Sequence, residues 1–443
     1  MLTVMPIKKA EGKQYDVIVL GAGLSGLSAA YTLKKLGVDD ILVLEAKNRI
    51  GGRVYTKEFV TPDGPLSVEL GAEWIGENQR TIIAICRALG LVLVPHKAGH
   101  DIYINGRYIK AGKPVFNKRW QRRTSYMLGQ INHSYSPAEK RELDKVSFDD
   151  FLARSGVSDF DRQVLELREG TVTGCSLKDM SAYAVLYHHL SLQNDKIDCD
   201  DFYIVGGNSQ LPEKLAQAVG WGRIQNNTEV VSIAQDKSGV TIKDAKGVIY
   251  SAKHLICTLP IKPLLNINWK HAAIPPEKTQ AWQEMKYASI TKTSFIFSHR
   301  FWSKKRMGVY SSTDACQVYH ATDHQRLKSW GALNSYVFGK YQDEFLALNP
   351  EEQLLASLDA LKLSHSNASY KMAVLQKIWD QDRFAGGAYS YFQPGQWFGI
   401  RPVLRQPAGH IHFAGEYLAD DAGYMNGAME SGIDAARKIV HGV

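Results

Sequence analysis

The sequence has few cysteines, and their positions argue against two common kinds of site. The five residues are Cys86, Cys175, Cys199, Cys257 and Cys316. They are odd in number and never stand at metal-ligand spacing, which disfavours both a disulfide framework and a zinc site. This pattern is typical of a reducing compartment and predicts a cytoplasmic location. Long apolar runs are also absent, and residues 1–14 lack a cleavage site and are interpreted as a short tail.

The bulk composition is that of an ordinary folded protein, with 443 residues, 44% hydrophobic and 22% charged. A chain of this length is expected to form two domains. The net charge is +8, with basic clusters around a tryptophan at 117–123 and 299–306. Because no nucleic-acid motif accompanies them, we interpret both as solvated faces and expect no nucleic-acid partner. The adjacent His188 and His189 have no ligand partner at suitable spacing, so no metal is expected.

A nucleotide-binding motif stands near the start of the chain. The apolar run YDVIVL (15–20) leads into GAGLSGLSAAYTLKKLG (21–37), which is glycine-rich first and helical afterwards. Gly21, Gly23 and Gly26 satisfy G-x-G-x-x-G between a strand and a helix. They allow a tight turn, close approach to a pyrophosphate and packing of the helix on the strand, respectively. The helix N-terminus and Ser25 supply donors to the anion, so the segment predicts a bound dinucleotide.

The residues after this motif extend the cofactor site. The second strand, ILVLEA (41–46), ends on Glu45, where a carboxylate is expected to bind a ribose. NRIGGRVYT (48–56) then places Gly52 and Arg53 where close approach and a charge-assisted contact to a phosphate are expected. The first unit by itself does not separate FAD from NAD.

The stretch from residue 45 to 53 carries a family resemblance. Its Glu-Ala-x-x-Arg-x-Gly-Gly-Arg segment resembles that of the flavin-containing amine oxidases, in particular the monoamine oxidase-like branch. Further likenesses follow in order along nearly the whole chain, in ELGAEWIG (69–76), YIVGGNSQLPEKLAQAVG (203–220), YASITKTSFIFSHRFW (287–302), AGGAYSYFQPG (385–395) and IHFAGEYLADDAGYMNGAMESG (411–432). Apolar and polar residues alternate in 287–302, which independently predicts a strand.

The resemblance implies an α/β fold made of two interleaved parts. One is a Rossmann-like FAD-binding domain with a mostly parallel sheet, and the other is a substrate domain with a mixed sheet. We expect the FAD-binding domain to comprise 15–85, 203–265 and 385–443, and the substrate domain 86–202 and 266–384. The active site is expected at their junction.

The resemblance also implies which residues hold FAD. Val230 would contact the adenine through its backbone, Gly71 and Ala72 would pass the isoalloxazine ring, and Gly415 would lie near the ribityl chain. The full set of expected FAD contacts is Gly21, Gly23, Leu24, Ser25, Gly26, Glu45, Ala46, Lys47, Gly52, Arg53, Gly71, Ala72, Glu73, Trp74, Val230, Trp379, Gly415, Glu416, Tyr424 and Met425.

Three residues are implied to act on the substrate. Lys292 would hold a water near flavin N5, and Tyr389 and Tyr424 would form an aromatic slot for the amine. The monoamine oxidases carry a flavin-linked cysteine where this sequence has Ala388, so the FAD is expected to be bound non-covalently.

The implied reaction is the oxidation of a primary or secondary amine, with O2 as electron acceptor and hydrogen peroxide as product. Polyamine oxidases of the family use a pocket carboxylate or histidine where this chain has Gly76, although Glu77 follows. Amino-acid oxidases use an arginine, for which Arg80 is the candidate. A polyamine, diamine or L-amino-acid substrate therefore stays an alternative.

Two rival classes use the same first motif. A desaturase-like or porphyrinogen-oxidising flavoprotein would need neither the tyrosine pair nor Lys292, and a non-catalytic scaffold would retain FAD structurally. The final helical stretch ends at 443 without the membrane anchor of eukaryotic monoamine oxidases, which favours an enzyme free of the membrane. A homodimer is compatible with the resemblance.

Overall fold

The structure is a computed structural model that describes residues 13–95, 99–110, 134–195, 202–302, 306–312, 317–320, 327, 329–363 and 365–442. Its helices are α1 (Leu24–Lys35), α2 (Arg80–Ala88), α3 (Pro137–Asp144), α4 (Phe148–Arg154), α5 (Asp159–Thr173), α6 (Ala182–Asp195), α7 (Gln210–Val219), α8 (Ile261–Leu265), α9 (Pro276–Glu284), α10 (Lys340–Ala347), α11 (Pro350–Lys362), α12 (Gln396–Gly399), α13 (Arg401–Leu404) and α14 (Met425–His441).

The strands belong to two large sheets and three short pairs. They are β1 (Gln14–Leu20), β2 (Ile41–Leu44), β3 (Thr56–Thr61), β4 (Gly64–Glu69), β5 (Leu93–Pro95), β6 (Gly99–Ile104), β7 (Arg107–Ile109), β8 (Phe202–Ile204), β9 (Ile224–Gln225), β10 (Val230–Asp236), β11 (Gly239–Asp244), β12 (Ile249–Cys257), β13 (Asn268–His271), β14 (Lys286–Tyr287), β15 (Ile290–Phe297), β16 (Arg306–Ser311), β17 (Gln317–His320), β18 (Gly331–Phe338), β19 (Ala373–Ile378), β20 (Ser390–Tyr391) and β21 (Ile411–Phe413).

The first large sheet is built around β1. This strand pairs in parallel with β2 on one side and β12 on the other. Beyond them, β9 lies parallel to β2 and β21 lies parallel to β12. Val17 and Val19 pack into one core cluster, whereas Ile18 and Leu20 pack into another on the opposite face. Since both faces are covered, the strand needs a continuous apolar run, as parallel sheets generally do.

Beyond β12 the sheet contains two antiparallel pairs, and its edge strand β13 lies parallel to β10. β10 and β11 form an antiparallel hairpin, and β11 pairs with the first half of β12. The second half of β12, from Leu255 to Cys257, pairs with β21 instead. One strand therefore supports both the hairpin and the last strand of the parallel core.

The second large sheet is mixed, with the order β19-β15-β18-β17-β16-β6-β7. All its pairs are antiparallel except β16 with β6, which is parallel. The predicted fold class, with a parallel sheet and a second mixed sheet, is confirmed. β13, just past the predicted boundary at 265, pairs with β10 of the first sheet, and the domain boundaries stay a prediction.

The tryptophan of the basic cluster 299–306 packs inward. Trp302 is buried and its ring packs edge-on against Phe297 and Phe301. The other basic cluster, 117–123, lies outside the described residues. No helix in the described part of the chain is long and apolar enough to span a membrane.

Three histidine rings meet where β12 and β21 lie side by side. The His254 ring lies 5.6 Å from that of His410 and 5.7 Å from that of His412. Burial, followed by the charges of His254, Lys438 and His410, lowers the pKa of His412 from 6.5 to about 4. The folded protein therefore resists protonation here between these two pH values.

This cluster predicts acid sensitivity. An unfolded chain binds a proton at His412 below pH 6.5, whereas the folded chain does not, so stability falls as the pH falls through this window. We expect the free energy of unfolding to fall by about 2 kcal/mol more in the wild type than in His412→Gln, allowing for partial exposure. Urea titrations from pH 7 to 4 measure this. His271→Gln, at an exposed histidine of β13, should follow the wild type; parallel curves for wild type and His412→Gln would contradict the account.

Candidate functional site

A cavity of about 430 Å³ lies between the two large sheets. One wall follows the carboxyl ends of β1, β2, β12 and β21, the edge at which parallel sheets bind ligands. The other wall includes residues of β15, β16 and β18. Of the residues predicted from sequence, those that line the cavity are Gly21, Gly23, Leu24, Ser25, Glu45, Ala46, Lys47, Gly52, Arg53, Gly71, Ala72, Glu73, Trp74, Val230, Lys292, Trp379, Tyr389, Gly415, Glu416, Tyr424 and Met425. The predicted residue that does not line it is Gly26.

The glycine-rich turn explains this exception. Gly21 has φ +102°, a conformation that favours glycine. A Cβ at Gly26 would lie 1.9 Å from the Gly21 carbonyl oxygen, so this glycine lets the helix approach the turn. A Cβ at Gly23 would meet no heavy atom within 4 Å. The turn is therefore closed on its inner side and open towards the cavity.

The start of α1 suits an anion. Gly23 caps the helix without a side-chain hydrogen bond, and the first turn holds no acidic residue. The first amide groups of a helix lack intrahelical partners and carry partial positive charge. Backbone donors that face open space fit a pyrophosphate, which is the part of FAD that a Rossmann turn holds.

Glu45 lies beside this turn at the end of β2. Its Oε2 accepts a hydrogen bond from the Ala22 amide at 2.8 Å, and its Oε1 accepts one from the Lys47 amide at 2.9 Å. Burial raises the pKa of Glu45, and the two amide contacts oppose this rise. The local turn thus fixes a carboxylate at the cavity wall, where a ribose hydroxyl could be bound.

Arg53 joins three distant stretches of the chain. Its Nη1 donates to Glu416 Oε1 and to the Ala388 carbonyl oxygen, both at 2.8 Å. Glu416 Oε2 also accepts hydrogen bonds from the Ser390 hydroxyl at 2.6 Å and the Gly423 amide at 3.0 Å. The charge of the guanidinium is therefore met by a carboxylate within the wall.

A second charged cluster stabilises the neighbouring wall. Asp382 Oδ2 accepts from Lys47 Nζ at 2.6 Å and from Lys377 Nζ at 2.7 Å. Burial by itself would raise the pKa of Asp382, but these hydrogen bonds lower it to about 2. Trp379 Nε1 donates to the Leu70 carbonyl oxygen at 3.0 Å, which fixes the indole at the cavity.

Lys292 forms a buried ion pair. Its Nζ lies 2.5 Å from Glu73 Oε2, and each side chain is only 3% exposed. The same ammonium donates to the Gly71 carbonyl oxygen at 3.2 Å. Lysines on strands are usually exposed, so this position requires a charged partner. The predicted flavin contacts Gly71 and Glu73 are thus the groups that hold the predicted catalytic lysine.

Glu69 is a further buried carboxylate in this region that sequence reasoning missed. Its carboxylate accepts hydrogen bonds from the backbone N–H of Asn208 at 2.7 Å and from Thr56 Oγ1 at 3.0 Å. Burial raises the pKa of Glu69 to about 7, a rise to which Glu73 adds and which Asn208 and Lys292 oppose. Its position as the first residue of the ELGAEWIG segment (69–76) was the available signal.

Tyr389 is held by two hydrogen bonds. Its hydroxyl donates to the Thr171 carbonyl oxygen at 3.1 Å and lies 2.9 Å from the Tyr336 hydroxyl. Because the Tyr389 proton is directed to Thr171, Tyr336 is the donor in the second contact. Both Thr171 and Tyr336 line the cavity. Neither was predicted, because their spacing from Tyr389 in the sequence gives no indication of contact.

Tyr424 occupies the residue before α14. Its ring stacks on the His188 ring at 5.3 Å with planes 17° apart, and its hydroxyl lies 3.3 Å from His188 Nε2. His188 Nδ1 in turn lies 2.9 Å from Asp421 Oδ1. His188 was considered from sequence only as a metal ligand, and within the described residues no group of three or more His, Cys, Asp or Glu could hold a metal.

Other sequence candidates lie elsewhere. Glu77 and Arg80 are exposed and do not line the cavity. Tyr183 and Tyr187, four residues apart on α6, share a helix face and pack against Trp397, with ring centres 5.9 and 4.9 Å away. They form part of the core.

The chain is similar in sequence to known proteins. A sequence profile of the family described as flavin containing amine oxidoreductase matches residues 24–440. Flavin-containing amine oxidase B of Rattus norvegicus is 28% identical over 461 residues, covering 97% of this chain and 86% of that protein. The probable flavin-containing monoamine oxidase A of Dictyostelium discoideum is 26% identical over 451 residues, covering 96% and 97%.

Solved structures share the fold. Cyclohexylamine oxidase from Brevibacterium oxydans IH-35A superposes with a TM-score of 0.86 at 24% identity, covering 97% of this chain and 99% of that one. Wild-type putrescine oxidase bound to putrescine gives 0.84 at 22% identity, with the same coverage. The family resemblance predicted from the sequence is confirmed. Because the profile spans nearly the whole chain, the protein belongs to the flavin-containing amine oxidoreductases.

Proposed function

We propose that this protein is an FAD-dependent oxidase of a primary or secondary amine. The observation that carries the proposal is that a single cavity is lined by the glycine-rich turn, Glu45, Lys292 and both tyrosines. A protein that only bound a nucleotide would need no pair of tyrosines beside its glycine-rich turn. A protein that only bound an amine would need no nucleotide-binding turn beside its tyrosines.

Different residues of the chain would bind different parts of the cofactor. The α1 N-terminus would hold the pyrophosphate, Glu45 a ribose, and Val230 the adenine through its backbone. Gly71, Ala72 and Trp379 would pass the ring system, and Lys292 would hold a water beside it. Bound FAD would supply an acceptor for two electrons taken as hydride, which O2 would then remove to give hydrogen peroxide.

The tyrosines act on the substrate. An ammonium ion has no lone pair with which to form an iminium, so the amine must be neutral when it reacts. Tyr389, fixed by Thr171 and Tyr336, and Tyr424 would place the nitrogen and exclude water. Aromatic faces also tolerate a cation on entry. The imine product would hydrolyse to an aldehyde or ketone and ammonia, or another amine if the substrate is secondary.

Several uncharged side chains near Tyr389 in the described structure favour a monoamine. Ile290 and Tyr336 pack in one cluster with it, and Thr171, Val172 and Tyr310 share the cavity. A diamine or polyamine calls for a carboxylate and an amino acid for an arginine, but Glu77 and Arg80 lie outside the cavity lining. A desaturase-like activity would leave the tyrosine pair and Lys292 unexplained.

Anaerobic mixing tests the proposal. The holoenzyme is mixed with monoamines, diamines, polyamines and L-amino acids, and the flavin absorbance near 450 nm is followed. Bleaching by at least one amine, with peroxide released on admission of air, is the expected result. Dithionite bleaching serves as the control for a competent flavin. If dithionite bleaches the cofactor but no amine does, amine oxidation is wrong.

Non-covalent binding of the FAD is a further part of the proposal. Ala388 lines the cavity, and its backbone carbonyl oxygen accepts a hydrogen bond from Arg53 Nη1. A methyl group cannot form a thioether, so acid precipitation of the wild type should release all the yellow colour into the supernatant. Ala388→Cys is expected to leave a fraction of flavin in the pellet, and Ala388→Ser, of similar size, none. Flavin retained in the wild-type pellet would contradict non-covalent binding.

We also propose a cytoplasmic location. Cys86, Cys175 and Cys257 are free thiols buried in the core, a state that suits a reducing compartment. Homodimer formation stays a prediction, which size-exclusion chromatography with light scattering would check.

A further inference from the structure

Three side chains form a line from the cavity wall towards the surface. Tyr424 lines the cavity, whereas His188 and Asp421 do not. The Tyr424 hydroxyl contacts His188 Nε2 at 3.3 Å, and His188 Nδ1 contacts Asp421 Oδ1 at 2.9 Å. The side chains of His188 and Asp421 are 17% and 21% exposed, so the outer end of the line reaches water.

The carboxylate determines how the imidazole is protonated. Asp421 is an acceptor when ionised, so the proton of a neutral His188 belongs on Nδ1. Nε2 is then a lone-pair acceptor directed at the Tyr424 hydroxyl. The adjacent carboxylate, Asp420, is paired with Arg401 and Arg405, so its charge is compensated elsewhere.

We propose that Tyr424, His188 and Asp421 form a proton relay that takes the surplus proton from a bound ammonium and delivers it to solvent. The proposal rests on the amine oxidase function and names the groups that convert the substrate into its reactive, neutral form. His188 acts through Tyr424 and is a relay residue rather than a catalytic one.

The transfer balances without any added reagent. An N–H bond of the ammonium breaks as an O–H bond forms on Tyr424, whose own proton moves to His188 Nε2. The imidazolium gives its Nδ1 proton through the Asp421 carboxylate to water at the exposed end of the line. Proton exchange of the partly exposed ring with solvent, gaining a proton at Nδ1 and losing one at Nε2, then restores the starting tautomer. The neutral amine keeps its lone pair, and every group of the relay returns to its starting state.

The surroundings of His188 favour this cycle. Among the described residues, the charged or titratable groups on the neighbouring elements include Asp421, Asp420 with its two arginines, Tyr187 and Tyr424. Since Asp420 is already paired, the Asp421 carboxylate is the group that favours the transient positive charge on the imidazole. The stacked Tyr424 ring also favours a cation.

Calorimetry gives a test that does not depend on turnover. tert-Butylamine has no α-hydrogen and cannot be oxidised, so its binding to the holoenzyme can be measured at pH 8 in buffers of different ionisation enthalpy. The slope of heat against buffer enthalpy counts the protons released. We expect about one proton released per bound amine in both the wild type and His188→Gln, because free amines with pKa near that of lysine are ammonium ions at this pH. A relay that returns to its starting state changes the rate of release, so stopped-flow mixing with a pH indicator in weak buffer should show release roughly 100-fold slower in His188→Gln.

The controls separate the relay from the proposed function. Tyr187→Phe removes the neighbouring hydroxyl on α6 and should release protons like the wild type. Equal rates of proton release by the wild type and His188→Gln would overturn the relay. Failure of the wild type to bind any amine, in the calorimeter or in the anaerobic assay, would instead count against the amine oxidase function.

The pH profile of kcat/KM provides the second readout. In His188→Gln, kcat/KM at pH 7 should fall roughly 100-fold, the usual size of a lost proton-transfer group. It should recover as the pH approaches the pKa of the amine, because the substrate then arrives neutral. Asp421→Asn should show the same trend with a smaller loss. A loss that is constant with pH in both variants would indicate a purely structural role and would also overturn the relay.

Discussion

Replacement of Gly26 by alanine is expected to give a folded protein that purifies without FAD. A Cβ at this position would lie 1.9 Å from the Gly21 carbonyl oxygen and 3.1 Å from Thr258 Oγ1. Neither atom can move away without breaking a hydrogen bond. The Gly21 amide donates to the Leu44 carbonyl oxygen at 2.7 Å, and Thr258 Oγ1 donates to that of Leu20 at 2.8 Å. The turn must therefore open, and its amides leave the positions that would hold the pyrophosphate.

We expect the affinity for FAD to fall at least roughly 100-fold, since overpacking of this kind costs about 1–3 kcal/mol or more. The ratio of absorbance at 450 and 280 nm measures loading, and quenching of flavin fluorescence measures affinity. Far-UV circular dichroism establishes that the variant is folded. The control is Gly222→Ala, where a Cβ meets no heavy atom within 4 Å. Normal flavin content in Gly26→Ala would refute the proposed use of this turn.

The second large effect concerns the buried pair of Lys292 and Glu73. Lys292→Met should slow the reaction of reduced enzyme with O2 roughly 100-fold, because a fixed positive charge no longer stabilises the negative charge that develops on oxygen. Flavin reduction by the amine should change much less. Stopped-flow measurement of the two half-reactions separates these effects.

The same substitution should also destabilise the fold. It leaves the Glu73 carboxylate, 3% exposed, without the ammonium that now lies 2.5 Å away, close to the buried carboxylate of Glu69. Breaking a buried pair by removing one partner typically costs about 3–5 kcal/mol. The double variant Lys292→Met with Glu73→Gln removes both charges, so it should regain most of the stability but none of the oxygen reactivity. If stability and oxygen reactivity return together, Lys292 has only a structural role.

The cofactor end of the site could be predicted from sequence because its parts are neighbours in the chain. The strand, turn and helix from 15 to 37 form one local unit, and the three glycine positions follow from its geometry. Glu45 stands at a fixed spacing from that unit. In the structure, the Glu45 carboxylate accepts a hydrogen bond from the Ala22 amide. The two residues belong to adjacent segments of the chain.

The substrate end could not be predicted to the same degree, because its contacts are long-range. Lys292 and Glu73 are 219 residues apart, and Tyr424 and His188 are 236 apart. Spacing along the chain does not reveal such partners. Sequence reasoning marked Glu73 as a flavin contact and treated His188 as a metal candidate; neither was seen as the partner of a predicted catalytic residue.

The strand β15 shows why periodicity has limits. Its alternation of apolar and polar residues is typical of a half-exposed strand, yet all eight residues are buried. The strand lies between β18 and β19, and Gln342 and Gln376 donate hydrogen bonds to the hydroxyls of Thr291 and Thr293. Burial of this kind depends on tertiary partners that the pattern does not contain.

The nucleotide pocket is assembled from widely separated parts of the polypeptide. β1 finds its partner β12 more than two hundred positions later, and α1 is so closely crossed by α14 that a Cβ at Gly432 would lie 2.0 Å from the Ser25 carbonyl oxygen. A half-synthesised chain on the ribosome therefore has no closed place in which to capture its coenzyme. Loading must follow translation of the α14 segment, and contacts of such long range fold slowly. Riboflavin shortage during expression should consequently leave a compact but colourless apoprotein that later accepts the vitamin-derived group.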